Sequence, residues 1–322
     1  MPVTTISGNV SGHIDPQRLF LDPAGVTLAA MAPTNDVPAS VFRRELGGRL
    51  KDLRTESGLT LVEVGRLVGV HHGHLSRIEH AKRATTEKLV LNLLDKAYPD
   101  LVTADNRLQI LDLLRADLVE EDPHPRHRAL LNSTQIGGYL RLERSARKLK
   151  AYELALVTGL LQTAEYAEAV IRAMRPDLTA GEVRALVSVR MERQKRLIGT
   201  GGAILEAVID EAALRRPVGP SELMKSQMER LLDMAEQQTV SVRLLPLEIG
   251  CHAGLYGSFM IMEFPAPNPS VVWVENLAHS MYFEDRKKVE PYKEAFNGLW
   301  QRTLPTAEAV SRIEKVIKEL YQ

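Results

Sequence analysis

The chain has 322 residues, 44% of them hydrophobic and 25% charged, and its 41 basic residues balance its 41 acidic ones. This length fits one large domain or two to three smaller globular ones. Zero net charge argues against a histone-like protein that coats DNA by charge alone, although a local basic patch remains compatible with DNA binding. The single cysteine, Cys251, rules out an intramolecular disulfide and favours a reducing compartment.

No apolar run approaches the roughly 20 residues that span a bilayer. The N-terminus also lacks the basic-then-apolar layout of a signal peptide. We therefore expect a cytoplasmic protein that does not enter the membrane. Residues 1–40 mix Thr, Ser, Gly, Pro and Asp without a period of 2 or 3.6, which predicts a flexible arm, and Met31 is an alternative start.

A helical pattern begins at Val41. Leu46, Leu50 and Leu53 follow at the spacing of one buried helix face, and Ser57-Gly58 ends this first helix. Thr60 is expected to cap a second helix that reaches about Leu67, with Glu63 three residues later completing a capping box.

The turn after the second helix has the requirements of a helix-turn-helix. Gly65 supplies a small residue where the two helices touch, and Gly69 tolerates a positive φ. The third helix is predicted over about 71–80. Four apolar residues would face the core of this unit: Val64, Val70, Leu75 and Ile78.

Two more helices are predicted before a linker. Thr85-Thr86 and Glu87 open the fourth, which Pro99 stops, and residues 103–118 form the fifth. Apolar residues of these helices are Leu89, Leu93, Leu94, Leu108, Leu111 and Leu114. The proline-interrupted charged segment at 120–127 predicts a linker, so we divide the chain into an arm (1–40), a helix-turn-helix domain (41–118), a linker (119–135) and a larger domain (136–322).

The larger domain mixes helical and strand patterns. Helices are predicted at 136–156, 160–174, 180–198, 220–238, 290–303 and 306–320. Strands are predicted at 203–209, 240–247, 259–264 and 271–274. The fold class is therefore α+β, with an all-α helix-turn-helix domain followed by a larger domain of helices and a small sheet.

Residues Leu46–Arg83 (LGGRLKDLRTESGLTLVEVGRLVGVHHGHLSRIEHAKR) resemble the xenobiotic-response-element (XRE) type of helix-turn-helix, the family of the lambdoid phage repressors. The resemblance implies an ion pair between Arg54 of the first helix and Glu79 at the end of the third. Leu61 departs from the pattern, which usually has a glutamine that touches the DNA backbone.

The resemblance also implies how double-stranded operator DNA would be bound. Base contacts are expected from His72, Gly73, Ser76 and Arg77, on the exposed N-terminal face of the third helix. Phosphate contacts are expected from Arg43, Arg44, Lys51, Arg66, Lys82 and Arg83. Eleven basic residues against seven acidic ones over residues 41–99 agree modestly with this interpretation. Because one helix-turn-helix reads only a half-site, we expect a homodimer.

The C-terminal two-thirds resemble a domain of unknown function found in actinobacterial regulators of the WhiJ-like group. The resemblance rests on Leu142–Ile171, Val242–Gly254 and Val271–Asp285. Thr158 departs from it, because these proteins commonly have a proline there. The resemblance implies a domain that senses a ligand or binds a partner, often a small protein encoded nearby, and that is sometimes described as antitoxin-like.

The glycine-rich segment GCHAGLYG could admit a ligand or partner through Gly250, His252, Gly254, Tyr256 and Gly257, or it could be a plain loop. Cys251 beside His252 suggests a nucleophile and base, but adjacent side chains of an extended segment point to opposite faces, so we expect no enzyme. No cofactor motif is convincing. His71, His72 and His74 lack further ligands at metal spacing, so no metal site is predicted.

Two alternatives to a transcriptional regulator stay open. The helix-turn-helix could serve as a protein-interaction module, in an antitoxin-like protein that holds a small partner and binds DNA only secondarily. The other is an enzyme that a DNA-binding domain directs to its target, which would require a catalytic cluster in the C-terminal domain.

Overall fold

A computed structural model describes residues 38–120, 127–133, 136–197, 202–266, 268–277 and 280–321. Nearly all of the predicted arm therefore lies outside the described residues, as do residues 121–126 and 134–135 of the predicted linker. The N-terminal helices are α1 (Val41–Glu56), α2 (Leu61–Val68), α3 (His72–Glu79), α4 (Glu87–Asn92) and α5 (Ala104–Glu120). A single π-helical turn, Leu93–Ala97, extends α4.

These five helices enclose one apolar core, and the predicted pattern of α1 is confirmed because Leu46, Leu50 and Leu53 are all buried. Thr86 caps α4 as expected, and its side chain accepts a hydrogen bond from the Leu89 N–H. The prediction for Leu108 is wrong, since this side chain is 58% exposed and Ile110 is buried instead. The core-facing side of α5 is therefore the stripe that contains Ile110 and Leu114.

The C-terminal part contains eight helices and six strands among its described residues. The helices are α6 (Arg128–Ser133), α7 (Gly137–Ser145), α8 (Ala164–Met174), α9 (Ala180–Gln194), α10 (Glu211–Arg215), α11 (Ser221–Ala235), α12 (Arg286–Arg302) and α13 (Thr306–Leu320). The strands are β1 (Lys148–Glu153), β2 (Ile204–Asp210), β3 (Val240–Leu245), β4 (Phe259–Glu263), β5 (Val271–Glu275) and β6 (Ser280–Phe283).

The six strands form one mixed sheet in the order β3-β2-β1-β4-β5-β6. β1, β2 and β3 are parallel, with Lys148 opposite Ile204 and Leu205 opposite Val240. Parallel neighbours need a crossover connection, which α8 and α9 provide between β1 and β2, and α10 and α11 between β2 and β3. β4, β5 and β6 complete the sheet as antiparallel strands. The predicted α+β fold class is confirmed.

Helices cover both faces of the sheet, and buried apolar residues of the strands therefore lie on both faces. α7, α8, α9, α11 and α13 pack on one face, where the core includes Leu149, Tyr166 and Met228. α12 covers the other face through Val289, Phe296 and Leu299. Burial on both faces explains why β2 shows no clear polar alternation over its last four residues.

Four sequence predictions of elements and boundaries are wrong or incomplete. The helix predicted over 136–156 ends at Ser145, and residues 148–153 form β1, because alternation in KLKAYE suits a strand between two others. β6 was not predicted. The linker predicted over 119–135 contains α6, and Ser40, the last residue of the predicted arm, is fully buried at the start of α1.

None of the helices in the described ranges combines the length and apolar composition that a membrane crossing requires.

Candidate nucleic-acid interface

The start of α2 is held by the predicted capping box. The Thr60 hydroxyl accepts from the Glu63 N–H at 3.3 Å, and the Glu63 carboxylate accepts from the Thr60 N–H at 2.8 Å. The hydrogen bond from the Thr60 backbone also lowers the pKa of Glu63, so this carboxylate stays charged. A negative charge in the first turn interacts favourably with the helix dipole.

The turn between α2 and α3 has the left-handed backbone conformation that Gly69 in the sequence predicts. Gly69 has a φ of +72° and ends α2. A Cβ on Gly65 would collide with the Val70 carbonyl oxygen, and the Gly65 carbonyl accepts from the Val70 N–H at 2.9 Å. The small residue is therefore required by the turn itself, which folds back over the last turns of α2. This lets α3 begin only four residues after α2 ends.

Arg54 and Glu79 form the ion pair that the resemblance implies. The Arg54 Nε donates to Glu79 Oε1 at 2.7 Å and its Nη2 donates to Oε2 at 3.0 Å. The side chains are only 18% and 5% exposed. The hydrogen bond with Glu79 raises the pKa of Arg54, and burial raises the pKa of nearby Tyr98 to about 12. This bidentate contact ties the last turn of α3 to α1.

A second contact between α1 and α3, at Gly47, was missed in the sequence. A Cβ on Gly47 would stand 2.6 Å from the Ile78 carbonyl oxygen and 2.8 Å from that of Glu79. Gly47 lies beside Gly48, and two adjacent glycines in an amphipathic helix were the available signal. Both glycines permit close approach, but only Gly47 faces a neighbour.

The predicted base-contacting residues lie along one side of α3, with His72 and Arg77 exposed and Ser76 half-buried. Gly73 is different, because the His71 imidazole lies beside it. The His71 Nδ1 accepts from the Gly73 N–H at 3.1 Å and caps α3. The His71 ring also contacts the His72 ring, with 4.1 Å between centroids. The His71 imidazole therefore covers part of the surface at Gly73 where a base contact was expected.

Four of the six predicted phosphate-contacting residues are exposed, namely Lys51, Arg66, Lys82 and Arg83. The prediction is wrong for the other two, Arg43 and Arg44, because both form ion pairs within the chain. The Arg43 Nε donates to Asp117 Oδ2 of α5 at 3.0 Å, in a network that includes Ser40. Arg44 pairs with Glu284 at 2.6 Å and is largely buried. Neither guanidinium is available to a phosphate.

The glycine-rich segment of the C-terminal part is firmly anchored. The His252 side chain is buried with its Nε2 3.4 Å from Asp210 Oδ2, and Gly254 packs so closely on the Tyr152 ring that a Cβ would collide with it. Gly250 and Gly257 have φ values of +68° and +128°. Tyr256 is 100% exposed. Of the predicted residues, His252 and Gly254 are therefore buried anchors, Gly250 and Gly257 shape the backbone, and the Tyr256 ring projects from the surface.

Cys251 is exposed, whereas the neighbouring His252 is turned inward. Within the described ranges, no group of three or more His, Cys, Asp or Glu side chains is arranged to hold a metal ion.

Two family models match the sequence. One, described as a helix-turn-helix domain, matches residues 45–98. The other, described as a domain of unknown function (DUF5753), matches residues 136–315, which is more than half of the chain. The chain belongs to the DUF5753 family. No curated protein matches it. The first match indicates a DNA-binding regulator and covers α2, α3 and the contacts that hold them.

The DUF5753 domain contains a half-buried carboxylate, Glu153, at the end of β1. Burial raises the pKa of Glu153 to about 7, although hydrogen bonds with Ser258 and Thr158 act in the opposite direction. At position 158 the resemblance leads us to expect a proline. A proline could not form the hydrogen bond that the Thr158 hydroxyl makes with Glu153.

We expect Glu153 to make the stability of the DUF5753 domain pH-dependent. Because its pKa is higher in the folded state than its ordinary value of 4.5, the folded state binds the proton more tightly. The contribution of Glu153 to the free energy of unfolding should be greatest below about pH 4.5 and should fall, by up to about 3 kcal/mol, as the pH rises to 7. Urea unfolding of the wild type and of Glu153→Gln between pH 5 and 8 measures this contribution.

Glu165→Gln, at an exposed position of α8, is the control and should follow the wild type. Parallel pH profiles for wild type and Glu153→Gln would contradict the prediction.

Proposed function

We propose that this DUF5753 protein is a sequence-specific DNA-binding transcriptional regulator of the XRE type, and that it is not an enzyme. Its helix-turn-helix would read operator DNA, and its WhiJ-like C-terminal domain would adjust that binding in response to a ligand or a partner. The observation that carries the proposal is the exposed side of α3. Arg77 and His72 are exposed there. The last turn of this helix is held to α1 by the ion pair between Glu79 and Arg54.

Arg77 is suited to base recognition because a guanidinium can donate two parallel hydrogen bonds to guanine in the major groove. Its neighbourhood is positively charged, and the pKa of His74 is lowered by burial and by Arg83 and Arg77. Lys82 and Arg83 lie just after the end of α3 at Glu79. Ala81, immediately before them, has a φ of +58°, and this turns the chain after the helix. This arrangement supports backbone contacts beside the base-reading face.

An influence of the C-terminal domain on DNA binding is supported by two contacts at the start of α1. Glu284, which follows β6, binds Arg44 at 2.6 Å. The Arg141 Nη2 of α7 donates to the Pro38 carbonyl at 2.7 Å, just before α1 begins. These contacts join DUF5753 residues to α1, the helix that holds α3, and to the residues just before it. A homodimer is part of the proposal, because one helix-turn-helix reads only a half-site.

The deciding experiment measures binding to the DNA upstream of the protein's own gene and to random DNA, by fluorescence anisotropy over a salt series. Wild-type protein should prefer its own upstream DNA at every salt concentration. Arg77→Ala should lose about 1–3 kcal/mol of that preference. Arg83→Ala should instead weaken binding to both DNAs equally and lower the salt slope by about 1.

Arg184→Ala, an exposed arginine of α9, is the matched control and should bind like the wild type. Equal, steeply salt-dependent binding of the wild type to both DNAs would reduce the function to non-specific attraction.

A second candidate function is the binding of a small partner protein encoded nearby, with DNA binding secondary. The exposed Tyr256 ring favours it, because tyrosine side chains are frequent centres of protein interfaces. The complete absence of DNA binding by the wild type would favour this candidate.

A further inference from the structure

The position of the recognition helix is set by a backbone contact that involves no side chain. Gly47 lies in the middle of α1 and is buried. On the opposite side of the contact are the carbonyl oxygens of Ile78 and Glu79, in the last turn of α3. We propose that Gly47 is a positioning residue for base recognition, which sets the depth and angle at which α3 meets DNA. This inference rests on the proposed DNA-binding function.

The distances show why only glycine fits at this position. A Cβ would stand 2.6 Å from the Ile78 oxygen and 2.8 Å from the Glu79 oxygen, and real Cβ atoms keep at least 3.0 Å. Both obstacles are backbone atoms of a helix, so neither can rotate away as the end of a side chain could. If Gly47 gains a methyl group, the gap between α1 and α3 must therefore open by about 0.4 Å to reach the limiting 3.0 Å, and by about 0.8 Å to reach ordinary van der Waals contact at 3.4 Å.

The opening would not be a uniform translation of α3. Arg54, about two helical turns beyond Gly47 along α1, binds the Glu79 carboxylate through two hydrogen bonds. At its other end α3 is attached to the tight turn at Gly69. With these attachments kept, a wedge at Gly47 tilts α3. Base contacts tolerate only about 0.5 Å of misplacement, whereas phosphate contacts from long exposed side chains adapt.

The adjacent residue supplies a matched control. Gly48 is in the same helix, and a Cβ there meets nothing within 4 Å. Gly48→Ala therefore adds the same methyl group and the same gain in helix propensity without touching α3.

The test uses the full-length protein and a DNA site that the wild type selects from a random-sequence library. For each variant the ratio of affinities for the selected site and for random DNA is measured, together with the fraction folded. Gly47→Ala should lower this ratio by about tenfold or more while its affinity for random DNA stays within about twofold of wild type. Gly48→Ala should keep the wild-type ratio.

Three results would overturn the proposal. The first is an unchanged ratio in folded Gly47→Ala, and the second is an equal loss in Gly48→Ala. The third is failure of both Gly47→Ala and the double variant Gly47→Ala/Gly48→Ala to fold at 10 °C, since Gly47 would then serve folding and not placement. If the wild type selects no site at all, the proposed function itself fails, and that outcome is distinct from these three.

Discussion

Replacing Arg193 with methionine is expected to lower the free energy of unfolding of the DUF5753 domain by about 3–5 kcal/mol. Arg193 of α9 donates to both carboxylate oxygens of Glu143 on α7, at 2.7 and 2.5 Å, and the two side chains are only 9% and 5% exposed. The Tyr139 hydroxyl also donates to Glu143 at 2.5 Å. Methionine would leave the buried carboxylate with the tyrosine alone.

Urea unfolding followed by tryptophan fluorescence measures this loss, because both tryptophans of the chain, Trp273 and Trp300, lie in the DUF5753 domain. Trp273 packs directly on Tyr139, with 4.3 Å between ring centroids. The exposed pair Arg172–Glu168 is the matched control, and Arg172→Met should cost less than about 1 kcal/mol. The prediction is wrong if the two substitutions cost the same.

The second large effect is expected in the helix-turn-helix. Arg54→Met should destabilise it by about 3 kcal/mol, because Glu79 is almost fully buried and would lose both of its N–H donors from Arg54. The last turn of α3 would then be released from α1. We therefore also expect weaker DNA binding at temperatures where part of the domain is unfolded.

Native-state hydrogen exchange of α1 and α3 amides measures this loss within the helical domain. Arg49→Met is the control, since Arg49 pairs with Glu45 on the exposed side of the same helix. It should change protection by less than about 1 kcal/mol. The double variant Arg54→Met/Glu79→Met should recover part of the stability, because no charge is left unpaired. Protection that is equally low in the double variant would argue against the ion pair as the cause.

The helix-turn-helix was predictable from sequence because its determinants lie close together along the chain. Capping by Thr60, the left-handed turn at Gly69 and the buried face of α1 each depend on residues within one or two helical turns. The Arg54–Glu79 contact came from the resemblance, since no local rule joins residues 25 positions apart.

The larger domain was less predictable because its central strand has mixed signals. β1 (KLKAYE) carries residues that also suit a helix, and only its neighbours β2 and β4 make it a strand. The same applies to Arg43 and Arg44. They resembled phosphate ligands in the sequence, but their partners Asp117 and Glu284 lie 74 and 240 residues away.

The sequence by itself determined the α+β class and the caps and turn of the helix-turn-helix, whereas the residues expected to contact bases along α3 came from the resemblance. The class, the caps and the turn follow from periodicity and from backbone preferences that act between near neighbours. Only the tertiary structure decided which glycine of α1 touches α3, which arginines are buried in ion pairs, and that Tyr256 projects while His252 is buried. Each of these depends on distances between elements that the folding of the whole chain brings together.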